Sequence, residues 1–294
     1  FKEVYCPRGE IGRHNGLKIL ARKGVPVRVW PRAPINMIIK KIHFVIDDTT
    51  KANSFKKTVS KKYKNHSPKT CDVIVVLGGD GFMLQALKKF NRYNKPFYGM
   101  NLGSFGFLMN KFKLLNLEKN ISKSKLVSIS PLIAKIKTKK NKILKAVAIN
   151  EVSLLRQSKQ TASLRIINGK KILIKKLISD GVLISTPAGS TAYNLSVHGP
   201  ILSINSKKLA VTPISPFRPR RWKGKILSSQ SKIRIVNLNI TKRPVSVVAD
   251  NLEIRNIKNV MVKTDNSTKF RLLYDRNNSL AKKIKLEQIK KQIK

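Results

Sequence analysis

A single carboxylate stands among three glycines in residues 73–84, VIVVLGGDGFML. A buried strand over 73–77 would deliver the GGDG turn at 78–81 to the carboxyl edge of a parallel sheet, where α/β proteins bind ligands. The glycines would let a bulky anion approach the backbone N–H groups at the start of the next helix. Asp80 could bind a metal that bridges phosphates, or accept a proton from a hydroxyl that attacks one. A tight turn with Asp80 as a helix cap explains the same residues equally well.

A second stretch, residues 179–202, reads SDGVLISTPAGSTAYNLSVHGPIL and is dense in Gly, Ser and Thr between two apolar runs. Its small hydroxyls and accessible backbone suit close approach to a polar ligand, and Tyr193 adds a ring and a hydroxyl. We expect a helix to begin near Ser190 or Thr191. An ordinary surface loop explains so long a run of specialised residues poorly.

The third stretch is Asn150-Glu151, which interrupts the apolar strand AVAINEVSLL. Polar groups in a half-buried strand need hydrogen-bond partners. The hydroxyls of a ligand could supply them, and so could neighbouring backbone. On these two residues alone, the backbone explanation is favoured.

The elements that must position these residues follow two different patterns of secondary structure. From Met37, strand-like segments alternate with helical segments, which predicts a parallel sheet with helices on its faces. The predicted elements are a strand (38–46), a helix (about 50–63), a strand (72–77), a helix (about 82–90) and a strand (96–100). From about residue 127, β-rich runs separated by turn signals such as Asn168-Gly169 predict an all-β segment. The expected fold class is therefore α/β plus β: an N-terminal Rossmann-like α/β domain and a C-terminal β-rich, sandwich-like domain.

The sequence predicts four regions in the chain. We expect an α/β domain at 37–126, a β-rich domain at 127–275 and a basic helix or tail at 276–294, and a return crossing by the C-terminal segment stays open. Residues 1–36 show no clear period and resemble the peptide that in-frame translation of a transfer-RNA gene would add. We therefore expect 1–36 to be a spurious extension outside the fold.

The 294 residues carry 62 Lys and Arg against 14 Asp and Glu, a net charge of +48. The basic residues are scattered along the chain and aromatic residues are only 6%, so compositional drift explains the charge better than a nucleic-acid interface does. A field this positive should still attract polyanions such as nucleotides. No apolar run reaches the length of a membrane span, and two cysteines without a signal-peptide core favour the cytoplasm.

Four motifs in order resemble the NAD kinase family, over roughly Met37 to Asp275: GGDG at 78–81, GMNLGSFGFL at 99–108, Asn150-Glu151, and DGVLISTPAGSTAYNLS at 180–196. The resemblance implies transfer of the ATP γ-phosphoryl group to the 2′-hydroxyl of the adenosine ribose of NAD, giving NADP, at a site between the two domains. A divalent metal, Mg²⁺ by preference, would arrive with ATP, and NAD would be a substrate. A homo-oligomer of two or four copies is implied, with no specific nucleic acid and no membrane as partner.

The resemblance also implies residue roles. Asp80 matches the general base. NAD contacts fall on Asp80, Gly81, Asn150, Glu151, Asp180, Ala188, Thr191, Ala192, Tyr193, Asn194, Leu195 and Ser196. Positions near the phosphates are Gly78, Gly79, Asn101 and Gly103, and no protein metal ligand is expected. Leu102 and Ile178 depart from the pattern, because some relatives carry a basic residue at these positions.

Two other functions stay open. GGDG also occurs in lipid kinases of the diacylglycerol kinase type, which share the two-domain plan, although the 180–196 stretch looks closer to NAD kinases. The alternative of another class is a non-catalytic basic protein that binds nucleic acid. It would leave GGDG and the long loop unexplained.

Overall fold

The computed structural model describes residues 38–103 and 106–276, together with the backbone of two short N-terminal strands. These strands, β1 (Lys18–Leu20) and β2 (Pro26–Arg28), pair antiparallel with each other. Apart from them and residue 276, the regions 1–36 and 276–294 lie outside the described residues. The expectations of a spurious extension and of a basic C-terminal helix therefore stay predictions.

The N-terminal half alternates strands and helices, as predicted. In order, the elements are β3 (Ile42–Ile46), α1 (Thr50–Lys62), β4 (Val73–Gly78), α2 (Asp80–Phe90), β5 (Phe97–Asn101), β6 (Asn110–Lys111), α3 (Leu117–Ser122) and β7 (Lys125–Ile129). β3, β4 and β5 are parallel neighbours. None of the helices in the described part of the chain has the length and apolar character that a bilayer crossing requires.

Strand β4 lies between β3 and β5 in this sheet and is buried along its whole length. Ile74 and Val76 face one side and pack with Met83 and Leu87 of α2, among other residues. The alternate residues, including Val75, face the other side and pack with the cluster that contains α1. This two-sided burial is why residues 73–77 read as an unbroken apolar run.

The C-terminal half is a β-sandwich, as predicted. Its elements are β8 (Leu132–Thr138), β9 (Ile143–Ala148), β10 (Glu151–Arg156), β11 (Ala162–Asn168), β12 (Lys171–Ser179), β13 (Gly181–Ser185), α4 (Tyr193–Ser196), β14 (Lys208–Ile214), β15 (Lys225–Ser228), β16 (Ile233–Asn237), β17 (Val245–Ala249), β18 (Leu252–Ile254) and β19 (Ile257–Thr264). Two six-stranded antiparallel sheets run in the orders β15-β14-β13-β10-β17-β18 and β12-β11-β16-β19-β8-β9. Aliphatic side chains of both sheets form one core, for example Leu154 and Val182 with Leu164 and Val260.

A last strand, β20 (Phe270–Tyr274), returns to the first sheet and lies between β5 and β7. It runs parallel to β5 and antiparallel to β7. This is the return crossing that the sequence left open. Strand β7 runs across residue 127, and β20 falls within the predicted β-rich segment, yet both belong to the α/β sheet. The boundaries at 127 and 275 stay predictions.

The buried side chain of Asn110 clamps the end of β20. Its amide nitrogen donates to the Leu273 carbonyl at 2.9 Å, and its amide oxygen accepts from the Asp275 N–H at 3.0 Å. The Asp275 carboxylate in turn accepts from the Tyr98 hydroxyl at 2.7 Å. These bonds tie the chain that leaves the sandwich to the α/β sheet.

Asn110→Ala should therefore destabilise the protein by about 1–3 kcal/mol, because it strips buried backbone groups of their partners. Urea unfolding measures the change. Asn266→Ala at an exposed turn position is the matched control and should shift stability by less than about 0.5 kcal/mol. Equal losses in the two variants would contradict the clamp.

Candidate functional site

The GGDG turn lies at the carboxyl edge of β4, where Gly78 ends the strand, Gly79 is the N-cap and Asp80 begins α2. The helix therefore starts two residues earlier than the predicted residue 82. A Cβ on Gly78 would come within 2.8 Å of the Phe82 ring, so packing alone requires glycine there. A Cβ on Gly79 or Gly81 would meet nothing within 4 Å. These two glycines border open space at a helix N-terminus, where an anion is stabilised.

The Asp80 carboxylate reaches across to the turn that follows β5. Its two oxygens accept the backbone N–H groups of Phe107 at 2.7 Å and of Leu108 at 3.1 Å. Asp80 is thus not the cap of its own helix, because Gly79 holds that position. Burial, and after it the charge of Asp80, raises the pKa of the Tyr274 phenol above its ordinary value, so this phenol stays protonated beside the carboxylate.

A cleft of about 190 Å³, open to solvent, adjoins these contacts. Its lining combines apolar and cationic side chains, among them Phe107, Leu108, Ala188, Tyr274, Lys125 and Arg276. Asp275 also lines the cleft, so its lining holds two cations and one carboxylate.

The turn at 101–103 lies beside GGDG. Asn101 is paired with Gly78 in the sheet, and the Leu102 N–H donates to the Gly78 carbonyl at 2.9 Å. The Asn101 side chain bonds both backbone groups of Gly103, at 3.0 and 3.1 Å. Leu102, which replaces a basic residue of some relatives, is buried in the core with Met100. Its apolar side chain offers a phosphate nothing.

Asn150 and Glu151 lie at the start of β10, and each has a side-chain oxygen that makes no hydrogen bond to the described residues. Among the described residues, neither the Asn150 amide oxygen nor the Glu151 Oε2 has a hydrogen-bond partner, although both are buried. Buried polar atoms are rarely left unpaired, so these two point to a ligand. On the sequence alone the backbone explanation was favoured, and these atoms do not support it.

Asp250, which no sequence motif indicated, supports the backbone of this pair. Its carboxylate accepts the N–H groups of Ile149 at 2.8 Å and of Asn150 at 2.9 Å. Burial first, and then the charge of Asp250, raises the pKa of Glu151 from 4.5 to about 8. Glu151 is therefore largely a neutral acid at pH 7 and can donate a hydrogen bond. A signal existed in the sequence, because Asp250 ends an apolar strand run just as GGDG does.

The loop at 186–196 packs directly on this pair. The Thr186 hydroxyl donates to the Ile149 carbonyl at 2.8 Å and accepts from the Gly189 N–H at 3.0 Å. A Cβ on Gly189 would lie 2.2 Å from the Asn150 carbonyl oxygen, so glycine is required for this approach. The helix expected near Ser190 is a 3₁₀ turn at Gly189–Thr191, followed by the short α4.

The predicted ligand residues of this loop divide by accessibility. Ala188, Thr191 and Asn194 are buried, whereas Ala192, Tyr193 and Leu195 are half-buried and Ser196 is exposed. The Asn194 side chain is committed to the protein: it donates to the Ser190 and Pro200 carbonyls and accepts from the Thr212 hydroxyl at 2.7 Å. It holds the loop, and the accessible residues form its outer side.

Asp180 stands at the other end of β13 from the loop. Its half-exposed carboxylate pairs with Arg156 at 2.5 Å. Burial, then the charges of Asp180 and Glu151, raises the pKa of Tyr193, so Asp180 lies on the Tyr193 side of the site. Ile178 pairs through its backbone with Arg218, whose carbonyl accepts the Ile178 N–H at 2.7 Å.

Comparison with known families shows two matches. The ATP-NAD kinase N-terminal domain matches residues 18–123, and the ATP-NAD kinase C-terminal domain matches residues 149–271. The first match begins inside residues 1–36, whose place outside the fold stays a prediction.

The chain is also similar to individual NAD kinases. The chain is 45% identical to the NAD kinase of Brucella suis over 85% of its length and 97% of that protein, and 43% identical to the NAD kinase of Caulobacter vibrioides over 85% and 96%. The fold resembles a yeast NADH kinase complexed with NADH, with a TM-score of 0.70, 22% identity, and coverage of 88% and 89%. It also resembles an Archaeoglobus fulgidus NAD kinase in complex with ATP, with a TM-score of 0.65, 20% identity, and coverage of 81% and 95%.

The raised pKa of Glu151 predicts a pH dependence of stability that Glu151→Gln removes. Because the folded-state pKa is about 8 against an ordinary 4.5, the stabilisation is complete below pH 4.5 and is lost as the pH rises through 8. From pH 4.5 to 8, the unmodified protein should lose on the order of 4 kcal/mol relative to the variant.

Urea unfolding at several pH values between 4.5 and 8 measures this difference. Glu118→Gln, at an exposed position of α3, should leave the pH profile unchanged. Parallel stability curves for the unmodified protein and Glu151→Gln would show that Glu151 is ionised in the folded state.

Proposed function

The chain belongs to the ATP-NAD kinase family, and we propose that it transfers the γ-phosphoryl group of ATP to the 2′-hydroxyl of the adenosine ribose of NAD, with Asp80 as the general base. One observation carries the residue assignment. Asp80 begins a helix with open space beside it. The unpartnered polar atoms of Asn150 and Glu151 lie on the other domain. The ion pair of Lys88 and Asp250 joins that domain to the helix of Asp80.

Asp80 would accept the proton of the 2′-hydroxyl as the ribose oxygen attacks the γ-phosphorus. The new O–P bond forms while the bond from the γ-phosphorus to the β,γ-bridging oxygen breaks, and ADP leaves with the electron pair. The N–H groups of Phe107 and Leu108 orient the carboxylate for this transfer. A positioned base of this kind contributes typically about 10²–10⁴-fold.

The phosphates would lie against the start of α2, in the space beside Gly79 and Gly81. Mg²⁺ bound with ATP supplies neutralisation of the phosphate charge. Asp47 follows β3 at the same edge, and its Cβ lies 3.2 Å from a Cβ built on Gly78. One of its carboxylate oxygens accepts the Asp48 N–H, and the other would offer the kind of ligand that Mg²⁺ prefers. Within the described residues no group of three or more His, Cys, Asp or Glu forms a metal cage, so the phosphates would hold most of the ion.

Asn150 and the neutral Glu151 would orient NAD. Between them they present donors and acceptors, which match the ribose hydroxyls. Ala192, Tyr193, Leu195 and Ser196 would form the accessible wall of the NAD site, and Ala188 and Thr191 would shape it from beneath. Asp180 would approach the dinucleotide from the Tyr193 side, and Asn194 would act by holding the loop.

The expected homo-oligomer of two or four copies and the cytoplasmic location rest on the family resemblance and on the cysteine content. Light scattering of the purified protein measures the number of copies.

Asp80→Asn should lower kcat for NADP formation at least about 100-fold while the protein stays folded, because the amide cannot accept the proton. The assay supplies NAD, ATP and Mg²⁺ to the full chain. Glu118→Gln serves as the control and should keep full activity. Activity of Asp80→Asn within about threefold of the unmodified protein would remove Asp80 from the base role.

The same assay with labelled ATP separates the alternatives. A lipid acceptor offered in parallel should stay unlabelled, and its labelling in place of NAD would favour a lipid kinase. Tight DNA or RNA binding with a steep salt dependence, and no phosphoryl transfer, would favour the nucleic-acid binder.

Gly81→Ala should impair ligand binding without disturbing the packing of the protein. Its methyl group meets no protein atom and favours the helix, so stability should hold or rise by about 0.5–1 kcal/mol. The methyl group fills the open space beside Asp80, which is assigned to the phosphates and to NAD, and kcat/KM for ATP and for NAD should fall about tenfold or more.

Gly78→Ala is the contrasting variant, because its methyl group meets Phe82 and should cost about 1–3 kcal/mol of stability. Thermal unfolding and steady-state kinetics measure both effects. Full activity of a stable Gly81→Ala would move the phosphates elsewhere.

A further inference from the structure

Lys88 and Asp250 form an ion pair between the two domains. Lys88 lies on α2, eight residues after Asp80, or about 12 Å along the helix axis. Asp250 follows β17 of the sandwich. The Lys88 Nζ lies 2.7 Å from the Asp250 Oδ2, and the Asp250 side chain is 1% exposed.

The Asp250 carboxylate is also the anchor of the Asn150-Glu151 turn. It accepts the N–H groups of Ile149 and Asn150, and the Asp250 N–H donates back to the Glu151 carbonyl at 3.2 Å. Asp250 adopts a left-handed φ of 53°, which costs a non-glycine residue roughly 1–2 kcal/mol. The three donors on its carboxylate offset that cost.

The Asp80 helix and the Asn150-Glu151 turn are therefore both bound to one carboxylate, that of Asp250. The helix that begins with Asp80 is attached to Asp250 through Lys88, and the turn that presents Asn150 and Glu151 is attached to Asp250 through its backbone. A change in the Lys88 contact would let the base helix shift relative to the turn. Misplacement by about 1 Å can cost 10²-fold in rate.

Stability gives a weak reason for this pair, in which the Asp250 side chain is buried and the Lys88 side chain is 28% exposed. Replacing a buried ion pair by packed apolar side chains is often neutral or stabilising. Orientation gives a stronger reason, because a charge-assisted hydrogen bond is short and roughly twice as strong as a neutral one.

We propose that Lys88 and Asp250 are positioning residues, which hold the Asp80 helix in register with the Asn150-Glu151 turn for phosphoryl transfer. The proposal rests on the proposed function. It assigns neither residue a contact with substrate.

The test uses the full chain and the NADP-formation assay. Lys88→Met should lower kcat about tenfold, and Lys88→Arg, which keeps the charge and the donors, should stay within about threefold of the unmodified protein. Lys89→Met removes the exposed neighbouring lysine of the same helix and should leave kcat unchanged. Lys88→Gln, which keeps a donor without the charge, is measured in parallel and decides the test if Lys88→Met fails to fold.

A double-mutant cycle distinguishes positioning from independent structural roles. If the pair acts as one unit, Lys88→Met combined with Asp250→Asn should lower kcat no further than the more damaging single substitution does. Rescue by Lys88→Arg and this non-additivity in kcat are the readouts that general destabilisation would not produce.

A kcat for folded Lys88→Met or Lys88→Gln within twofold of the unmodified protein would overturn the proposal. So would equal losses in Lys88→Met and Lys89→Met, or additive losses in the cycle. The proposed function fails separately, if the unmodified protein forms no NADP or if Asp80→Asn keeps its activity.

Discussion

A carboxylate that is wholly or partly buried needs hydrogen-bond donors, and this requirement organises the junction between the two domains. Asp80 accepts two consecutive backbone N–H groups of the turn after β5, and Asp250 accepts two consecutive N–H groups before β10. Asp250 directly follows β17, and Asp80 begins α2 two residues after β4 ends, so a sheet fixes the backbone beside each carboxylate. Each therefore holds a distant turn at a defined distance from that sheet, through bonds stronger than those between neutral groups.

The third carboxyl group of the junction, Glu151, shows what happens where donors are missing. Its Oε2 is buried without a partner in the described part of the chain, and the charge of Asp250 lies nearby. Neutralisation is the response that burial and a like charge both favour. The junction thus contains carboxyl groups in different environments, which is how one site can offer an acceptor and a donor at the same pH.

The basic composition acts at a longer range than these contacts. With 62 basic and 14 acidic side chains, the protein should draw nucleotides towards its surface from any direction. Such a field does not orient a ligand, because it has no preferred geometry. Orientation falls to the helix N-terminus beside Gly79 and Gly81 and to the few polar atoms that face open space or lack partners.

The fold could be predicted from the sequence to a useful extent because its signals are local. Apolar runs of strand length alternating with helical spacing predicted β3 to β5 with α1 and α2, and the turn-rich second half predicted the sandwich. The start of α2 was predicted two residues late, because Asp80 and Gly81 read as part of a loop although they occupy its first turn. Leu102 could be recognised as a departure, but only the core around it shows that its side chain points inward.

The sequence by itself determined that a glycine turn with one carboxylate follows a buried strand and precedes a helix, and that Asn150 and Glu151 need partners. These statements depend on neighbouring residues only. Only the tertiary structure shows that the Asp80 carboxylate binds the backbone at Phe107 and Leu108. It also shows that Asp250 binds the Asn150 backbone and that the Asn194 side chain is hydrogen-bonded within the protein. It also decided that β20 returns to the first sheet. These contacts join residues far apart in the chain, and packing of the sheets, which no local pattern records, brings them together.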